Sequence, residues 1–152
     1  MENRTESFER CLSGLLLFSF FVLLVMLARP IFLGGVYTHD DLGWLQLPIR
    51  HLYSQALAAG DDFLWTLQLS NGMYLHGEGQ AGMYHPLHLL LYRTLSLEWA
   101  FNLEFILSYV WMFPGMYLML RRLNLPQHAS LFGALAFTFS GFNLLHSVHL
   151  NA

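Results

Sequence analysis

Three long apolar runs punctuate the chain, and a mixed stretch separates the first from the second. Cys11 to Ala28 contains no charged residue and as a helix would reach about 27 Å, close to the roughly 30 Å of a hydrocarbon core. It extends past Arg29 and Pro30 towards Val36, and the span is placed over 11–33. The second run is clearest from Phe105 to Leu120, about 24 Å, and crosses fully only by including Leu97 to Glu104, giving a span over 97–120. The third, Leu125 to Leu150, holds no Asp, Glu, Lys or Arg, each of which costs about 2.5–3.5 kcal/mol at mid-bilayer. Its span is placed over 128–150. The first run is too long for a signal-peptide core of about 7–15 residues, and no small-x-small cleavage site follows it, so it reads as an uncleaved anchor.

The stretch 34–96 is far longer than the roughly 4–6 residues of an ordinary connection. Leu42, Leu45, Ile49, Leu52, Tyr53, Ala56 and Leu57 recur at helical spacing against polar Gln46, Arg50, Ser54 and Gln55. That pattern predicts an amphipathic helix lying in the membrane interface, with Pro48 in its first turn and Gly60-Asp61-Asp62 ending it. Phe63 to Met83 predicts irregular structure, rich in glycine and with Trp65, Tyr74 and Tyr84 suited to the headgroup level. His85-Pro86 then opens a short helix, Leu87 to Leu95. Ser96 caps the second span, and Pro114-Gly115 should kink it.

Composition agrees with insertion in a membrane. Of 152 residues 55% are hydrophobic and 11% charged, against about 25% charged in soluble domains. Mean hydropathy is +0.44. All seven basic residues are arginine, the formal net charge is −3, and no basic cluster exceeds Arg121-Arg122, which argues against a nucleic-acid partner. Cys11 is the only cysteine, so neither an intrachain disulfide nor a thiolate metal site is available. Arg4 and Arg10 before the first span, with Arg121-Arg122 in the turn 121–127, predict a cytoplasmic N-terminus (1–10) and an extracytoplasmic loop.

Small residues crowd the third run: Ala129, Gly133, Ala134, Ala136, Ser140 and Gly141. Inside lipid they permit close backbone approach, so the three spans should belong to a packed bundle. The expected fold is an all-α polytopic transmembrane bundle with an amphipathic extracytoplasmic loop. A chain that stops just after a span, with a small-residue face unpaired, is expected to be the first part of a longer protein whose remaining helices, or other membrane subunits, pack against it.

Several short stretches carry a resemblance: Thr38-His39-Asp40-Asp41 after the first span, Gly60-Asp61, Asn71-Gly72, and Gly82-Met83-Tyr84-His85-Pro86-Leu87. Phe137-Thr138-Phe139-Ser140-Gly141-Phe142 and His149-Leu150-Asn151 complete it. In this order and spacing the chain resembles the start of the bacterial YfhO-type membrane proteins, which are similar to the GT-C superfamily of polyprenol-linked-sugar glycosyltransferases. It departs from them after Gly60-Asp61, where Asp62-Phe63-Leu64-Trp65 replaces a Pro-x-Trp-Asn stretch. The resemblance implies a bacterial inner-membrane transferase with many spans and a catalytic acid in its first external loop. It further implies a polyprenyl-phosphate sugar donor and an extracytoplasmic acceptor.

On that resemblance Asp40 or Asp41 is the general base; from the residues alone the pair equally fits an N-cap and first-turn acid of the helix that follows. His39 is a candidate orienter of a carboxylate, and Arg29 a candidate contact for a lipid phosphate, with snorkelling as its alternative. Asn143, His146 and His149 recur every three residues on one face. They suit sugar hydroxyls, a phosphate, or a divalent metal shared with the carboxylates, the alternative being hydrogen bonds between helices. His85 and His88 read as interfacial packing. Glu104, a carboxylate inside a span, requires a partner, and Arg29 is the nearest basic candidate. The rival class is a non-catalytic membrane subunit or lipid-handling protein; a transporter fragment lacks the paired broken helices that would recommend it.

Overall fold

The computed structural model describes residues 2–75, 77 and 82–148, and these are mostly helical. They fall into two compact units, Met1–Arg29 with Ile106–Leu145 and Pro30–Phe105 with His146–Ala152. His149, a candidate from the sequence, lies outside the described residues.

The first unit contains α1 (Glu2–Leu27), the later turns of α5 (Leu97–Arg122), α6 (Gln127–Thr138) and α7 (Gly141–Leu145). Leu16 and Phe20 of α1, Phe113 of α5, and Leu131 and Ala134 of α6 form its core. Phe20 stacks on Phe113 with ring centroids 4.1 Å apart. Ala134 is wholly buried. At Gly133 a Cβ would stand 2.6 Å from Leu120 Cδ1, so the small residues permit the close approach their spacing suggested.

Phe18, Phe21 and Met26 on α1, Trp111 and Leu118 on α5, and Phe132 on α6 point outwards. Apolar surface on this scale costs about 25 cal/mol per Å² in water and suits a hydrocarbon solvent. Three helical stretches, Glu6–Leu27, Leu97–Arg122 and Gln127–Leu145, the last made of α6 and α7, are long and apolar enough to cross a membrane.

One expectation changes. The third apolar run is not one helix: α6 ends at Thr138 and α7 restarts at Gly141, across Phe139 and Ser140. Ser140 Oγ accepts the Asn143 N–H at 3.2 Å, an N-cap bond that competes with continued helix. Pro114 lies inside α5, whose helical run continues through it. Between α5 and α6 the chain reverses with Asn124 in the left-handed region (φ 62) and Leu125 N donating to Leu120 O, a Schellman closure. Arg121 Nη1 donates to Leu125 O at 2.6 Å and ties the turn.

The second unit contains α2 (Arg29–Phe32), a π-helical turn (Leu42–Gln46), α3 (Leu47–Ala59), a two-stranded hairpin, α4 (Pro86–Thr94), the first turns of α5, and a 3₁₀ turn (His146–Val148). Pro48 sits in the first turn of α3, where its missing N–H costs nothing, and Gly60 (φ 73) closes the helix in the left-handed conformation. Within 63–83, read as irregular, β1 (Trp65–Thr66) pairs antiparallel with β2 (Met73–Tyr74) in the register Trp65↔Tyr74 and Thr66↔Met73.

The face of α3 differs from the one its periodicity predicts. Ile49 and Tyr53 are buried as expected, but so are Gln46 and Arg50, while Leu45 is exposed. The reason is electrostatic: Arg50 points inwards because a carboxylate waits for it there.

Candidate functional site

The acid pair lies on a turn built by backbone geometry. After α2 the segment 35–37 is held to α5 by Asn102, almost fully buried, whose Nδ2 donates to Gly35 O at 2.9 Å while its Oδ1 accepts the Tyr37 N–H at 3.3 Å. The Tyr37 ring stacks on Phe105 at 4.1 Å. Thr38 to Asp41 then turns sharply, with Asp40 at φ 50, a left-handed conformation that Asp tolerates better than most residues. Asp40 O accepts from both Gly43 N (3.0 Å) and Trp44 N (3.2 Å), and His39 O accepts from Leu42 N (3.2 Å). Gly43 makes the turn possible, because a Cβ there would stand 2.5 Å from Thr38 O.

Asp40 and His39 are exposed and Asp41 is partly exposed. Asp41 precedes the π-helical turn but makes no side-chain capping bond to it. π-Helical turns occur often at functional sites, where the extra residue re-aims side chains.

The other sequence candidates divide. Arg29 is exposed at the start of α2 and is not the partner of Glu104. Asn143 fastens the break in the third apolar run: its Nδ2 donates to Phe137 O at 2.6 Å, a carbonyl that also accepts the Ser140 N–H at 3.1 Å. Tyr109 Oη donates to Asn143 O at 3.1 Å. His146 is exposed in the 3₁₀ turn.

A second constellation, which the periodicity conceals, occupies the interior of the second unit. Glu104 of α5 accepts from Arg50 of α3 twice, Nε to Oε2 at 3.0 Å and Nη2 to Oε1 at 2.5 Å. Tyr92 of α4 donates to Glu104 Oε2 at 2.6 Å, and His88 Nε2 stands 3.3 Å from Oε1. All four residues are buried. Arg50 takes the role foreseen for Arg29 as partner of Glu104, and His88 is a buried member of a charged cluster rather than interfacial packing.

Each phenol here stays protonated. Burial pushes Tyr53 up to about 12, and its Oη donates to Met83 O at 2.6 Å. Burial, reinforced by the Glu104 carboxylate, pushes Tyr92 far above the usual phenol range, so it remains a donor. His88 Nδ1 lies 3.0 Å from Gly82 O, and since a carbonyl only accepts, Nδ1 carries the hydrogen. Removal from water holds this imidazole below its ordinary range, with Glu104 opposing.

One signal in the sequence points to this cluster: Glu104 sits among apolar residues and needs a partner. Among the described residues no group of three or more His, Cys, Asp or Glu is arranged to hold a metal ion. Comparison with family models, with curated proteins and with solved structures returns no match.

Proposed function

We propose that the chain is the N-terminal membrane part of an inverting glycosyltransferase that moves a sugar from a polyprenyl phosphate to an extracytoplasmic acceptor. The observation that carries this is the acid turn: Asp40 is exposed, Asp41 is partly exposed, and both stand in the segment that follows the first apolar helix. In the proposed step one carboxylate takes the proton of an acceptor hydroxyl. The freed oxygen bonds to C1 of the sugar as the C1–O bond to the lipid phosphate breaks, and that electron pair leaves on the phosphate. His39, Arg29, Asn143 and His146 are kept as substrate-side candidates, Asn143 with its amide already engaged at the helix break. The arginines put the N-terminus in the cytoplasm and the loop 34–96 outside.

A second reading, a non-catalytic membrane subunit, draws on the buried Arg50–Glu104–Tyr92 cluster, which shows the loop helices fastened by polar groups that face inwards. One experiment separates the two. Membranes carrying the protein expressed from its full reading frame are assayed for turnover of labelled polyprenyl-phosphate sugars, beside Asp40→Asn and Asp41→Asn. Asn keeps the shape and tolerates the left-handed backbone at position 40. Transferase activity lost in one variant that still folds and inserts identifies the base. No turnover of any donor by the wild type gives the field to the non-catalytic reading, and equal turnover by all three proteins removes the role of base from both carboxylates.

A further inference from the structure

Within the second unit, α3 and the β1–β2 hairpin enclose a groove of about 260 Å³. Its floor includes Ala56 and the fully buried Leu75, and one wall is the indole of Trp65. Gln55, Asp61 and Gln68 supply polar groups around it. The indole is placed by the hairpin: at Gly72 (φ 123) a Cβ would stand 2.9 Å from Trp65 Cζ2, so the ring rests on bare backbone. Trp65 nevertheless keeps 55% of its surface exposed. Asp62 is drawn into local structure, its Oδ1 accepting the Leu64 N–H at 2.8 Å.

We propose that this groove is a carbohydrate subsite that takes a single pyranose ring. A pre-positioned aromatic face attracts the weakly positive C–H face of a sugar through its quadrupole. Carboxylates accept from sugar hydroxyls, and glutamine amides both donate and accept, which matches the dual character of a hydroxyl. The volume falls below the roughly 300–1,000 Å³ of pockets for drug-sized ligands, and so fits one ring rather than a long oligosaccharide chain. An indole also suits the membrane interface, but acidic side chains beside it at Asp61 and Asp62 disfavour immersion in lipid. As the acceptor subsite the groove rests on the proposed glycosyl transfer; as a binding site it is measured without turnover, so either idea can fail alone.

The test uses the full chain in nanodiscs of zwitterionic lipid, titrated with chitotriose, maltotriose and mannotriose and followed by saturation-transfer NMR. At least one trisaccharide is expected to bind saturably, and Trp65→Ala to weaken it at least about tenfold. Gln55→Ala should weaken it as well, while Trp111→Phe, on a membrane-spanning helix, leaves it unchanged. Circular dichroism confirms that each variant is folded. The proposal is overturned if none of the three sugars saturates, or if Trp65→Ala and Gln55→Ala bind as the wild type does. It is also overturned if Trp65, as the sole tryptophan, loses acrylamide quenching on transfer from detergent to lipid, since the indole is then a membrane anchor.

Discussion

Arg50 and Glu104 meet side-on in a buried fork, the guanidinium giving two hydrogen bonds to one carboxylate across helices α3 and α5. They are 54 positions apart in the chain. The pair explains why a helix read as amphipathic turns an arginine inwards. Two opposite charges removed from water gain little by comparison with apolar residues of the same shape, but either one left alone is very costly.

Removing one partner should therefore destabilise far more than removing both. Arg50→Met or Glu104→Gln is expected to cost about 3–5 kcal/mol, whereas the double variant Arg50→Met/Glu104→Leu recovers much of that loss. Thermal unfolding of the protein in detergent, followed by circular dichroism, measures all three. Single variants that melt within a degree of wild type would show that the fork contributes nothing.

The pH dependence follows from His88. Burial holds its folded-state pKa below the ordinary value near 6.5, the Glu104 carboxylate opposing and Arg50 and His85 adding to the depression. The unfolded chain thus takes up a proton more readily than the folded one. Stability from this group is fully present above about pH 6.5 and is lost as the pH falls through the folded value. The melting temperature should drop on acidification from neutrality, and drop less in His88→Gln. Parallel pH curves for the two proteins would count against the buried imidazole as the source.

How much of this the sequence displays depends on the kind of force involved. The three apolar helices are legible because absence of charge over some twenty residues is a local property. So are Pro48 and Gly60 at the two ends of α3, where each residue's backbone preference is decisive. The interior of the second unit is not, because Arg50 counts as polar in any periodicity until Glu104, far along the chain, is known to face it. The break between α6 and α7 is hidden for a similar reason. Phe139 and Ser140 read as continuous span, and only the bonds from Asn143 to Phe137 O and Ser140 Oγ make the interruption affordable. For the acid turn, the sequence displays the two adjacent carboxylates but not that Asp41 leaves its helix uncapped.

Gly43 offers the sharpest handle on that turn. Its hydrogen lies where a methyl group would meet the Thr38 carbonyl oxygen at 2.5 Å, with Thr38 C and Cα at 3.1 and 3.2 Å. These are backbone atoms, so no rotamer change relieves the clash, and Gly43→Ala must push the Thr38–Asp41 turn away from the π-helical turn. Overpacking of this kind typically costs about 1–3 kcal/mol. The same displacement moves Asp40, whose carbonyl accepts the Gly43 N–H. The expected outcome is a modest fall in melting temperature together with, on the proposed function, a loss of transferase turnover well beyond what the fall in folded protein explains. Gly14→Ala, where a Cβ would meet nothing within 4 Å, is the control and should leave both unchanged. Turnover retained by Gly43→Ala at the wild-type level would mean that the position of the two carboxylates does not matter to the reaction.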